Sequence, residues 1–238
     1  MRLVGVDLAS QPKRTSLAVI EAGRVVMLIS EATDDTIIEH ATGAHGVGID
    51  APLGWPDAFV ETITAHHGHE SIPAHDPRNL RLRRTDVITH ERSGKQPLSV
   101  STDLIGVVAL RAIRLLERLS GVGAARDGSA GVYETYPGSA VAIWDLVTSS
   151  YKPKTATDQR AAIVGALSTH LDLGGFDDQM IANDDDLDAV LCAAVAGLAA
   201  SGATFVPDSD DVSLAQREGW IHIPSEPITS LGQLRTAG

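Results

Sequence analysis

The fold class predicted by the sequence is α/β, a single domain on a mixed sheet, and three observations predict it. Leu3-Val4-Gly5-Val6-Asp7, Gly46-Val47-Gly48-Ile49-Asp50 and Gly131-Val132-Tyr133-Glu134 are short apolar runs that each finish on an acid. Buried strands of open α/β sheets have this shape, and their C-terminal ends carry the site. The first 29 residues hold three strand-like runs joined by turn signals, which implies an antiparallel meander. Thr33 to Thr42 then carries Ile37, Ile38 and Ala41 at helical spacing, the mark of a crossover between buried strands.

The elements follow in order. Leu3–Asp7 is a strand, and Gln11–Arg14 a polar loop. Ser16–Ile20 and Val25–Ile29 are strands about an Ala22-Gly23 turn. Thr33 or Asp34 caps the first helix and Gly43 stops it. A right-handed crossover lays Gly46–Asp50 parallel to the first strand, about 4.8 Å away, so that Asp7 and Asp50 end side by side.

Residues 52–100 are polar and Pro- and Gly-punctuated, with a short helix expected at Asp57–His66. They read as an insertion over the site. Ser101–Leu119 is an amphipathic helix burying Ile105, Val108, Ala112, Leu115, Leu116 and Leu119. Gly121–Gly128 is a loop, Gly131–Glu134 a strand and Ser139–Leu146 a short helix. Thr157 caps a long helix with Ala161, Val164, Leu167 and Leu171 inward. Asn183–Asp186 opens an apolar helix over Leu187–Ala200, and Gly219–Pro224 is a late edge strand. No internal repeat or domain boundary is visible, so residues 1–238 read as one domain.

Composition narrows the function. No apolar run approaches the roughly 20 residues that span a bilayer. Met1-Arg2-Leu3 enters a strand directly, leaving no room for a signal peptide, so a cytoplasmic location is expected. The single cysteine, Cys192, reads as a buried, inert thiol. A net charge of -12 argues against broad electrostatic binding of nucleic acid, yet suits a site gathering carboxylates around divalent cations.

The acids carry the chemistry. Asp7, Asp50 and Glu134 end three strands, while Asp185 and Asp188 share one face of the last long helix. Two-metal phosphoryl hydrolysis uses such a set to hold ions roughly 4 Å apart, and oxygen-only ligands favour magnesium or manganese over zinc. Any one of these acids read alone has a bland alternative: an Asp after a strand caps a turn, and Asp184–Asp186 suit a helix N-terminus. The set is more informative than its members, because buried strand ends seldom tolerate unpaired charge.

Gly-Val-Asp at residues 5–7, Gly-Ile-Asp-Ala-Pro-Leu-Gly at 48–54, Arg-Arg-Thr-Asp at 83–86, Tyr-Glu-Thr-Tyr-Pro-Gly at 133–138 and Asp-Asp-Leu-Asp-Ala at 185–189 stand in that order. On these motifs, from residue 3 to about residue 224, the chain resembles a domain-of-unknown-function family (DUF429), described as predicted nucleases of the RNase H-like fold. The resemblance implies three antiparallel strands, a helix and two further parallel strands, flanked by helices, with an insertion after the fourth strand. It implies a metal cluster of Asp7, Asp50, Glu134 and Asp188, with Asp185 a further ligand. The first helix offers only Glu39 as an internal acid, so Glu134 on a strand stands in, as in the resolvase-like branch.

Arg78, Arg81, Arg83, Arg84, Arg92 and Lys95 form a basic cluster in the insertion, either a phosphate clamp or a salt-bridged face. Arg83, Arg84 and Lys152 are the candidate substrate contacts, with Arg84 on the scissile or adjacent phosphate. His66, His67, His69 and His75 have no zinc-site spacing and read as a surface loop, and His90 either contacts phosphate or packs. Tyr133 and Tyr136 flank Glu134 and offer base stacking, although Tyr133 suits the core. The expectation is a magnesium- or manganese-dependent nuclease acting on DNA or RNA. Its rivals are a nucleotide-binding protein, since Asp7-Leu8-Ala9-Ser10 is similar to the first phosphate loop of actin-like ATPases, and a non-catalytic scaffold.

Overall fold

A computed structural model describes residues 1–235 of the chain. The meander forms: β1 (Arg2–Asp7), β2 (Ser16–Glu21) and β3 (Arg24–Ile29) pair antiparallel in sequence order. Helix α1 (Asp34–Ala41) follows, its first turn held by the Thr33 hydroxyl, which accepts the Thr36 N–H at 3.2 Å. Strand β4 (Gly46–Asp50) then lies parallel to β1 with Asp7 and Asp50 in register. The remaining strands and α-helices are α2 (Asp57–His67), α3 (Pro77–Arg81), α4 (Arg84–Ser93), α5 (Ile105–Ser120), β5 (Val132–Thr135), α6 (Pro137–Ile143), α7 (Thr157–Ser168), α8 (Asp177–Ala182), α9 (Asp184–Ala200), α10 (Val212–Glu218) and β6 (Ile221–His222). The sheet order is β3-β2-β1-β4-β5-β6, with β4, β5 and β6 parallel to β1.

The strands alternate sides as their period of two requires. Leu3, Ala18 and Ile20 pack in the core of the face that α9 covers, while Val4, Val6, Val47 and Ile49 pack with α1 and α5 on the other. Helix α9 presses unusually close to the sheet. A Cβ on Gly5 would stand 2.0 Å from the Ala189 carbonyl oxygen, and one on Gly48 would stand 2.3 Å from that of Cys192. Glycine at these two strand positions, opposite an alanine-rich helix, lets backbone approach backbone. No helix among the described residues is long and apolar enough to cross a membrane.

Three expectations shift. The insertion is more helical than its polarity suggests, carrying α3 and α4 besides α2. Helix α5 starts at Ile105 rather than Ser101, because Ser99 and Ser101 donate to the carbonyls of Arg81 and Leu80 and tie this stretch to α3. Helix α7 turns Arg160, Ile163, Val164 and Leu167 inward and leaves Ala161 exposed. The arginine is buried because it donates to the carbonyls of Tyr151, Pro153, Lys154 and Ile181.

Candidate metal centre

Gly5 and Asp7 share a face of β1, as Gly48 and Asp50 do of β4, and α9 rests on that face. The two acids therefore project toward the N-terminal half of α9, which supplies Asp188. Carboxylate oxygens of Asp7, Asp50 and Asp188 all lie within 4.8 Å of one another. Asp188 is fully buried, while Asp7 and Asp50 keep an accessible edge on a cleft.

Burial and mutual repulsion make the group reluctant to carry three charges. Loss of water, then the charges of Asp188 and Asp50, push the Asp7 carboxyl well above the usual carboxylate range. Burial lifts Asp50 to about 7 even against the opposing pull of Lys152. Asp188 is raised by burial as well, with Lys152 and Tyr151 working against the shift. The Tyr151 hydroxyl donates to Asp188 Oδ1 at 2.9 Å, and the Lys152 ammonium contacts Oδ2. Burial opposes the charge on Lys152, but Asp188, Asp7 and Asp50 outweigh it and raise its pKa. Arg160, by holding the Tyr151 and Lys154 carbonyls, fixes the loop that presents both residues. An all-carboxylate donor set with this excess charge fits a hard divalent cation such as magnesium or manganese.

Glu134 is not brought into this group, and strand parity explains why. It is in register with Ile49, not Asp50, so its side chain leaves the sheet on the opposite face from Asp7 and Asp50. There Arg83 grips both its oxygens, at 2.6 and 2.7 Å, and the Leu53 N–H donates to Oε2 at 2.9 Å. Arg83 also donates to both oxygens of Asp86 and to the Glu218 carbonyl. All five guanidinium N–H groups are thereby engaged, leaving none for a phosphate. Asp185 faces Arg14 at 2.9 Å instead of the group, and Arg84 pairs with Asp211 at the surface. Of the three expected substrate contacts, Lys152 alone touches the Asp7–Asp50–Asp188 group, through Asp188.

The neighbouring Asp186 is structural, accepting from Ser16, Ser30 and Gln179. Tyr133 packs edge-on against His222 in the sheet, and Tyr136 borders the cleft beside Asp50. The histidines of the insertion join no metal-binding group among the described residues. Sequence reasoning missed Tyr151 as a partner of Asp188, for which only its place before Lys152 was a signal. It also missed that Arg83 would be consumed internally, although Asp86 three residues on is the spacing of a helical ion pair.

A family model described as "Protein of unknown function (DUF429)" matches residues 5–212. No curated protein and no solved structure matches the chain.

Proposed function

The chain belongs to the DUF429 family, and from that premise we propose that it is a metal-dependent nuclease of RNase H-like fold, hydrolysing phosphodiester bonds of DNA or RNA. The observation that carries the reading is the convergence of Asp7, Asp50 and Asp188, from two strands and a helix, on one point at the edge of a cleft. The β3-β2-β1-β4-β5 part of the sheet supports the RNase H-like assignment, being three antiparallel strands extended by two parallel ones across a helix.

Asp7, Asp50 and Asp188 would hold magnesium or manganese, which when bound supplies an activated water and charge stabilisation for the departing oxygen. Tyr151 orients Asp188, and Lys152 sets a positive charge beside the acids, where it can meet a phosphate oxygen. Glu134 and Arg83 position the chain: their ion pair ties the insertion to β5 and fixes Leu53 just past Asp50.

Calorimetric titration with manganese, beside cleavage of labelled DNA and RNA, tests the proposal. Wild-type protein is expected to bind the ion stoichiometrically and to cleave, and Asp7→Asn to do neither. Wild type that takes up no manganese, or cleavage that survives Asp7→Asn, contradicts it. The Lys152–Asp188 contact favours one rival, a non-catalytic or nucleotide-binding member of the RNase H/actin-like superfamily whose acid charge is met from within. Thermal stabilisation by ATP without metal-dependent cleavage would identify that rival.

A further inference from the structure

Two cavities meet at the acid group, one mainly apolar and the other mixed, with Val141, Ala142 and Val147 on one wall and hydroxyls and lysines on the other. One, of about 240 Å³, opens on Asp7 and Asp50 and is walled mainly by apolar side chains, among them Leu8, Pro52, Pro97, Leu98 and Ile105. The other, of about 290 Å³, runs from Asp50 toward Lys95, Ser149, Ser150 and Lys152. Asp50 and Tyr136 line both, so they form the partition between them. A ligand lying across the partition would put a neutral, flat part against the apolar wall and an anionic part beside the two lysines.

Among the described residues few cations line the cavities, and Arg14, beside the acid group, is paired with Asp185. Arg83, Lys95 and Lys152 are the basic residues lining the two cavities, and Arg83 has no N–H to spare. Arg84 is held by Asp211, and Arg92 stacks on Phe205, 3.9 Å from its ring centroid. Proteins that bind a duplex through its backbone neutralise some 6–10 phosphates. Two lysines on a chain of net charge -12 fall far short.

Resting on the nuclease reading, we infer that the substrate is a single strand, or a frayed end, with one unpaired base seated in the apolar cavity against Tyr136. Its adjacent phosphates lie beside Lys95 and Lys152. Recognition of this kind draws on base contact more than on backbone charge. Leu98 is the wall residue that reports on it most cleanly. It is 60% exposed, so a polar substitution there leaves the core untouched.

Fluorescence anisotropy of short labelled oligonucleotides tests the inference, using wild-type protein with calcium in place of manganese and a gel to confirm that the strands stay intact. With two phosphates engaged, log affinity is expected to fall against log salt with a slope of about -1.4. One abasic position in the strand is expected to weaken binding about tenfold. Leu98→Asp should cause a similar loss on the intact strand and none on the strand abasic at that position. A slope steeper than about -4, duplex bound as tightly as single strand, or indifference to every abasic position overturns the inference. If the protein nevertheless cleaves nucleic acid in a parallel assay with manganese, the nuclease reading stands without it. If no nucleic acid of any kind is bound or cleaved, both fail together.

Discussion

Replacing Glu134 with glutamine separates a positioning role from a ligand role. The substitution keeps the shape of the side chain and removes its charge. Arg83 is 1% exposed and Glu134 2%, so the guanidinium would lose one of its two carboxylates in a place water does not reach. Removing one partner of a buried ion pair costs about 3–5 kcal/mol, and Asp86 remains as the second counter-charge, which sets the expectation at the lower end, about 3 kcal/mol. In a chain of this size each kcal/mol moves Tm by about 2–4 °C, so the drop should be about 6–12 °C. Calorimetric unfolding measures it, and manganese titration below Tm shows whether ion affinity is kept. Arg83→Met should be more damaging, because it leaves both Asp86 and Glu134 buried without a counter-charge, and the double variant should cost less than the two single losses added together. Unchanged Tm with lost manganese binding would refute the reasoning and return Glu134 to the metal site.

Three further outcomes are expected. Gly5→Ala places a Cβ 2.0 Å from the Ala189 oxygen and 2.2 Å from the Ala193 nitrogen, both backbone atoms that cannot turn aside. It should cost about 3 kcal/mol or more by urea unfolding and weaken manganese binding by moving Asp188; wild-type affinity in this variant would show that α9 does not set the site. Lys152→Met removes the ammonium that competes for Asp188, so manganese affinity should rise roughly tenfold while the metal-free chain loses stability; a fall in affinity on titration would contradict this. His222, buried with Nε2 donating to the Asp127 carbonyl and Nδ1 accepting from Thr204, has its pKa lowered by burial from 6.5 to about 4. Between these values the unfolded chain binds more protons, so stability rises with pH: its share is complete above about pH 6.5 and about 3 kcal/mol is lost as pH falls to 4. Urea midpoints across that range should slope less in His222→Gln than in wild type, and equal slopes would remove His222 from the account.

What was legible in the sequence had local causes. Alternating or continuous apolar runs gave β1 to β5, the Thr33 cap gave α1, and crossover handedness placed Asp7 beside Asp50. Glu134 shows where such reading stops. Its distance from the start of its own strand says nothing of register against β4, and a slip of one residue reverses its face. Tyr151 and Arg160 were equally illegible, since a buried arginine looks in sequence like a solvated one until the carbonyls it serves are placed around it. The glycines of β1 and β4 were visible as residues, but their purpose became plain only with α9 against them.

The most direct measurement is the anomalous scattering of a crystal soaked in manganese, recorded at the manganese edge. The account predicts a peak among the carboxylates of Asp7, Asp50 and Asp188, with Glu134 still on Arg83. Density showing only the Lys152 ammonium there, with no manganese bound at high concentration, would contradict it.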